Sequence, residues 1–306
     1  MTDPHRTTTP RRLVLFAHYD AQGEVKRYIQ HYLRALREVS SRIVFITTAS
    51  LDDRSLAVAQ RLTDQVLERR NIGFDFCMWR DALEVTDISA WDEIVLTNSS
   101  VFGPLFPLAT AFQNMADQNV DMWSMTENHE IAWHLQSYFL VMRRSVHSSP
   151  AFAQFWSSVL PYRDKWQVVL SYEIGLSRWL LGNGYRLQSY TTTLLPSVEG
   201  KSLQPDRFAA LRSARSNTTA HYPTELLQLG MPFVKVETLR ENPCAVDLDL
   251  LGREMSAAGF DSSLLEFDRP VVERILHASH APHGPKLRRR LRTFWEKISR
   301  IGRRFK

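Results

Sequence analysis

Two cysteines in 306 residues, Cys77 and Cys244, are too few for a disulfide framework and lack metal-ligand spacing. Both read as reduced thiols of a cytosolic protein. No uninterrupted apolar run approaches the roughly 18 residues of a membrane-spanning helix. The first residues, MTDPHRTTTPRR, hold no apolar stretch of the kind a signal peptide carries, so secretion is not expected. Internal repeats are absent. Neither polar excess nor apolar poverty marks the chain: 44% hydrophobic and 23% charged residues argue against global disorder. The length suffices for one large domain, or one domain with an appendage, around a substantial core.

What the chain does have is basic charge, and it is unevenly placed. Of 38 Lys and Arg, ten fall between Lys286 and Lys306 against a single acid, Glu296, while the net charge is only +5. The body is therefore mildly acidic, and an alkaline isoelectric point says little about nucleic-acid binding by the fold. In the tail, Leu287, Leu291, Phe294, Trp295, Ile298, Ile301 and Phe305 keep one helical face apolar. Arg288, Arg289, Arg292, Lys297, Arg300, Arg303 and Arg304 fill the other. A basic amphipathic helix with aromatic residues on its apolar side suits an anionic membrane surface, through residues 287–305. Docking on protein, or RNA binding, is the competing use of such a tail.

Along the chain, residues 13–18 (LVLFAH) and 42–47 (RIVFIT) read as buried strands. Helical spacing covers 25–39 and 55–67. A further strand is expected within 88–98, centred on EIVLT, followed by a helix over 106–118. Strands apolar on both faces that alternate with helices predict an α/β fold with a mostly parallel sheet. Ligands of such sheets bind beyond the strands' carboxyl ends. Those ends are His18-Tyr19-Asp20, the segment around residues 71–79, and Asn98-Ser99-Ser100. Residues 137–142 suggest a strand, 152–159, 173–181 and 224–229 suggest helices, and 196–220 suggest a long loop.

Four clusters carry the polar chemistry. Asn71, Gly73 and Asp75 read as a loop able to contact a base or sugar hydroxyl, or as a plain turn with a helix cap. Asn98, Ser99 and Ser100 end a strand, where small polar groups can face a phosphate or a metal, or simply make ordinary loop contacts. Glu127, His129, Glu130 and His134 lie in the third. His129 and His134 are five apart, a poor match to the four-residue spacing of two zinc ligands on one helix face. His134 and Gln136 instead suggest a pocket wall. In the fourth, Glu173 opens an expected helix, where the dipole favours a carboxylate and a general base could also stand.

In this order, the segments resemble the rhamnan synthesis F family of bacterial polysaccharide glycosyltransferases. The matching stretches are FAHYD (16–20), RNIGFDFCMW (70–79), NSSVFGPLFPL (98–108), HLQSYFLV (134–141), YEIGLS (172–177) and PFVKVETLRENP (232–243). The resemblance covers about residues 13–245 and implies a GT-A-like (Rossmann-like) nucleotide-sugar-binding domain over 12–245. A leader of 1–11 without fixed structure precedes it. A C-terminal extension, 246–283, and the basic amphipathic helix, 284–306, follow.

By that similarity His18, Tyr19 and Asp20 lie where the nucleotide base is held, Asn71 and Asp75 where the nucleotide and donor sugar are contacted, Asn98, Ser99 and Ser100 where the acidic metal-binding motif stands, and Glu173 where the catalytic base is supplied; with Gly73, His134 and Gln136 from the residue reading they make up the expected nucleotide-sugar site. The family's Asn-Asp-Ser becomes Asn98-Ser99-Ser100 here. The loss of the acid weakens the case for Mg²⁺ or Mn²⁺, and Asp75, Arg70 or Arg80 are candidates to compensate. The resemblance implies an inverting rhamnosyltransferase with dTDP-L-rhamnose as donor and a lipid-linked polysaccharide or O-antigen as acceptor. It would work in the cytoplasm, peripherally on the inner face of the cell membrane, with no specific nucleic acid. A non-catalytic nucleotide-sugar- or glycan-binding relative in a membrane assembly complex is the alternative.

Overall fold

A computed structural model describes residues 10–195, 211 and 217–264. The leader's residues 1–9, most of 196–216 and the basic tail of 284–306 lie outside the described residues.

The chain alternates strand and helix: β1 (Arg12–His18), α1 (Arg27–Val39), β2 (Arg42–Thr47), α2 (Asp53–Leu62), β3 (Gln65–Glu68), α3 (Phe74–Val85) and β4 (Glu93–Asn98). After β4 come β5 (Val101–Phe102), α4 (Leu108–Ala116), β6 (Met122–Ser124), a small hairpin of β7 (Glu127–Asn128) and β8 (His134–Leu135), and β9 (Phe139–Arg143). Then follow α5 (Arg144–His147), α6 (Pro150–Ser157), α7 (Lys165–Val168), a π-helical turn (Val169–Glu173), α8 (Ile174–Gly182), β10 (Leu187–Ser189) and α9 (Tyr190–Leu194). Short helices at Thr218–His221, Pro223–Gln228, Val236–Arg240 and Leu248–Ala257 complete the described chain, with β11 (Val234–Lys235) among them.

Seven strands form one sheet in the order β10-β6-β9-β4-β1-β2-β3. β9 runs antiparallel to β4 and β6, and every other neighbouring pair is parallel. The sheet is thus mostly parallel and flanked by helices, as the alternating pattern predicts. β1 is buried along its whole length and β4 likewise. Their side chains divide between two cores. Val14, Phe16 and Val95 face one, where α1 lays down Ile29, Tyr32, Leu33 and Leu36. Leu13, Leu15, Ile94 and Leu96 face the other, with Phe76 and Trp79 of α3 and Leu176 and Leu180 of α8. Such two-faced burial, about 1.5–3 kcal/mol per large apolar side chain, leaves polar residues a place only at the strand ends.

The structure corrects several expectations. The helix expected over 55–67 ends at Leu62, and Gln65–Glu68 is an edge strand paired parallel to Val44–Thr47. The Thr63 hydroxyl donates to Ala59 O (2.8 Å) and closes the helix. Asp75 lies in the first turn of α3 and not in a loop. Glu173 does not open a helix. It ends a π-helical turn that runs on from α7 into α8, so no helix N-terminus faces it. Arg11, counted with the leader, donates its N–H to Asp92 (2.8 Å) and lies over Trp91. Within the expected long loop, Thr218–His221 is helical. Beyond residue 245, Leu248, Leu251 and Met255 join the first core.

At the end of the sheet away from these polar termini, Arg12 Nε meets Glu93 Oε2 at 2.5 Å, and Arg12 Nη1 donates to Val39 O (3.1 Å). Both residues are buried, so removing one partner strands the other's charge. Glu93→Leu should cost roughly 3–5 kcal/mol in urea unfolding. The double change Arg12→Met/Glu93→Leu should recover most of that loss. Equal losses in single and double variants would refute a charge-pairing origin.

Candidate active site

The site begins at the end of β1. The His18 ring lies against Phe45 and its Nδ1 is 3.1 Å from Thr47 Oγ1. Burial lowers its pKa to about 4, so it is neutral at pH 7. Tyr19 is exposed, and its N–H reaches Ser99 Oγ at 3.5 Å. Asp20 folds over its own loop. It accepts the N–H groups of Gln22 (2.9 Å) and Glu24 (3.2 Å) and pairs with Lys26 (3.2 Å). Burial pushes its carboxyl up, but those donors together hold it below the ordinary range. Tyr28 of α1 donates to Ser99 O (3.2 Å) and so ties this loop to the end of β4.

At that second end, Asn98 Nδ2 donates to Asp75 Oδ2 at 2.7 Å. Asn98 Oδ1 accepts from Ser100 N (3.0 Å) and Ser100 Oγ (2.6 Å). Asp75 reaches Asn98 because Gly73 turns the chain tightly into α3 at φ +81°. A Cβ there would strike Cys77 Sγ and Pro161 Cα, so glycine is required on both counts. The next residue, Phe74, is also left-handed (φ +56°), a strained entry of the sort found at functional sites. Burial drives the Asp75 pKa up to about 6, against the Asn98 hydrogen bond and Lys235, with Glu173 adding to the rise.

Glu173 comes from the segment that joins α7 to α8. Its Oε1 accepts both the N–H (2.8 Å) and the hydroxyl (2.9 Å) of Ser137. The π turn advances the helix by one extra residue at this point, a distortion often seen where a side chain must be re-aimed.

Other residues named from sequence are placed differently. Gln136 is enclosed in a hydroxyl-amide network, accepting from Thr126 (2.7 Å) and Thr219 (3.2 Å) and donating to Asn217 (3.2 Å). His134 is buried, with Nδ1 2.8 Å from Ala132 O. His129 pairs with Glu127 (3.1 Å), which also accepts from Trp133 Nε1 (3.1 Å). Asn71 is exposed beyond β3, between Arg70 and Ile72 on the rim of a cavity of about 450 Å³. Arg69 and Arg80 also line that cavity, and both bind Asp81. Arg80 additionally donates to Val159 O (2.6 Å), so its charge is already engaged.

Sequence reasoning missed one site residue, Lys235. β11 pairs antiparallel with β5, setting Lys235 opposite Val101, and Val236 N donates to Ser100 O (2.9 Å). The ammonium lies 4.3 Å from the centre of the Tyr138 ring. Burial draws its pKa down, while Glu173, Glu237 and Asp75 draw it up and Lys165 opposes them. Its segment belongs to the family-like stretch 232–243, but nothing in the spacing ties it to Asp75 and Glu173.

A model of rhamnan synthesis protein F matches residues 43–266. The chain belongs to the rhamnan synthesis protein F family. The match omits β1 and extends past 245 through the helix Leu248–Ala257. Among curated proteins, virulence protein VirA of Vibrio anguillarum is 24% identical over 202 residues, 59% of this chain. The chain thus spans 64% of that relative's length. The uncharacterized protein y4gN of Sinorhizobium fredii is 29% identical over 131 residues, 40% of this chain and 34% of that one. Among solved structures, S. aureus TarS is 12% identical, with 88% of this chain and 53% of that one covered, at a TM-score of 0.39. The inositol-1-phosphate CTP transferase of T. maritima is 11% identical, with 60% and 85% covered, at 0.38. Likeness at such TM-scores bears on neither substrate nor mechanism.

For this family member, the GT-A resemblance implies a divalent cation near the end of β4. The donors there do not fit one. Mg²⁺ wants carboxylate oxygens beside the phosphates, position 99 offers a hydroxyl, and the carboxylate that does stand at this strand end, Asp75, is hydrogen-bonded to Asn98 and has its pKa raised to about 6 by burial. The Asn98 amide is engaged at both ends by Asp75 and Ser100. Among the described residues no group of three or more His, Cys, Asp or Glu side chains could hold a metal.

Asp75 generates a pH prediction. Its folded pKa is raised, so its contribution to stability is present below the unfolded value and is lost as pH climbs through about 6. Asp75→Asn should be as stable as the parent at pH 4 and more stable at pH 7.5, by on the order of 1–3 kcal/mol. Urea unfolding at the two pH values measures this. An equal effect at both would show that Asp75 ionises normally.

Proposed function

We propose that this chain is an inverting glycosyltransferase, transferring L-rhamnose from dTDP-L-rhamnose to a lipid-linked polysaccharide or O-antigen acceptor. The observation that carries this reading is the Asp75–Asn98 hydrogen bond at the carboxyl end of a parallel strand, where α/β sheets bind ligands, with Glu173 near enough for its charge to add to the rise of the Asp75 pKa. Membership of the rhamnan synthesis family supports the choice of sugar. In the reaction, Glu173 takes the proton of an acceptor hydroxyl as its oxygen bonds to the sugar's anomeric carbon. The bond to the donor phosphate breaks, and its electron pair leaves with dTDP. Ser137 fixes the orientation of the Glu173 carboxylate. Asp75, Asn98 and Ser100 position the donor, beside Tyr19, Asp20 and Ser99.

Among the described residues no helix is long and apolar enough to cross a membrane. The basic amphipathic tail favours work at the inner face of the cell membrane, next to a lipid-linked acceptor. A second reading, a non-catalytic nucleotide-sugar-binding relative, is favoured by the absent acid at Ser99.

Purified full-length chain, dTDP-L-rhamnose and a membrane extract of lipid-linked glycans test the proposal. Transfer is expected, with kcat reduced about 100-fold or more in Glu173→Gln and the donor KM little changed. Unaltered turnover in that variant would remove Glu173 as base. Donor binding without turnover would favour the non-catalytic reading, and failure to bind any nucleoside diphosphate would end both.

A further inference from the structure

A departing nucleoside diphosphate develops charge that the site must neutralise, and the place where a divalent cation would be expected has the wrong donors. We propose that Lys235 forms a diphosphate-binding subsite that replaces the metal ion. This rests on the glycosyl-transfer reading given above.

The geometry is specific to this position. Strand β11 is anchored on the segment that follows the Asn98-Ser99-Ser100 turn, through the Lys235–Val101 pairing and the Val236 N–Ser100 O bond. Lys235 therefore leaves the backbone beside the residues from which the family's acid is missing. Its ammonium rests on the face of Tyr138, a buried ring whose hydroxyl is held by Thr126 (2.9 Å). Tyr138 is the neighbour of Ser137, which holds Glu173, so cation and carboxylate are supported by adjacent residues. The fields of Asp75 and Glu173 both reach Lys235, as does that of Lys165, exposed at the start of α7.

Among the described residues the Lys235 ammonium contacts a π face and forms no ion pair with a carboxylate. A half-buried ammonium with no carboxylate partner among the described residues is poorly compensated. A diphosphate supplies two negative groups at this point, and lysine serves as a point charge for phosphates. The same ammonium would repel a divalent cation, which accords with serine at position 99. Arg70 and Arg80 are not needed for the role, and Arg80 already serves Asp81 and Val159 O.

Calorimetric titration of the full chain with dTDP and UDP, in EDTA and in Mn²⁺, tests this. We expect at least one of them to bind with equal affinity, within about twofold, in the two buffers. Lys235→Met should weaken that binding about tenfold or more in EDTA, the worth of a charge-assisted contact. Lys235→Arg should retain most of it, and circular dichroism should show both variants folded. Binding by the parent chain only when Mn²⁺ is present would overturn the proposal, whether or not the variants fold. So would undiminished binding by a folded Lys235→Met. Either result leaves the glycosyl-transfer reading standing. A chain that binds neither dTDP nor UDP under any condition would instead overturn that reading and this one together.

Discussion

The central strands have no solvent face, and the site follows from that constraint. β1 and β4 lie side by side in register, Leu13 to Ala17 against Ile94 to Asn98, with apolar layers on both sides. Polarity can appear only where these strands run out. The chain places His18-Tyr19-Asp20 and Asn98-Ser99-Ser100 there, and parallel pairing brings the two ends together. The Asp75–Asn98 hydrogen bond then attaches the start of α3 to the end of β4. With Gly73 forcing the turn, that bond decides which way the helix's first carboxylate points.

The result is a small, partly desolvated set of opposed charges. Burial raises the Asp75 pKa and lowers that of Lys235, and each offsets part of the other's shift. Desolvation shifts of this kind, in residues near one sheet edge, make Asp75 and Lys235 candidates for a functional site. The contrast with Asp20 is informative. Asp20 is satisfied by two N–H groups and Lys26 and stays well ionised, which suits loop-building more than proton transfer. Glu173 is oriented by two donors from a single residue, Ser137, which joins the loop after the β7–β8 hairpin to the α7–α8 helix.

The chain belongs to the rhamnan synthesis protein F family, and the relative VirA is matched over 64% of its length. By the sequence resemblance Ser99 stands where the family would carry an acid, and its surroundings are consistent with a serine. The Asn98 amide is turned inward to Asp75 and Ser100, and an ammonium stands nearby. A lone loss of the acid would leave a gap in charge compensation. Here the strand pair β5–β11 brings a cation to the same neighbourhood.

Periodicity in the sequence determined the layered α/β class, because strands apolar on both faces are recognisable without partners. β2 matches its expected bounds, and β1 and α1 differ from theirs only at the start. The short strands β3, β6 and β10 escaped notice because three or four residues carry too little pattern, and β3 sits at an edge with mixed polarity. The polar clusters were legible as residue types, but their partners were not. Only tertiary structure decided that Asp75 belongs to a helix and reaches Asn98, that Glu173 ends a π turn held by Ser137, that Gln136 is absorbed in a hydroxyl network, and that Lys235 stands among the carboxylates. The contacts behind these placements join segments from 23 residues apart, Asp75 with Asn98, to 134 apart, Val101 with Lys235. Local spacing has no record of such separations, since chain closure is settled by packing of the whole sheet and not by any neighbour in sequence.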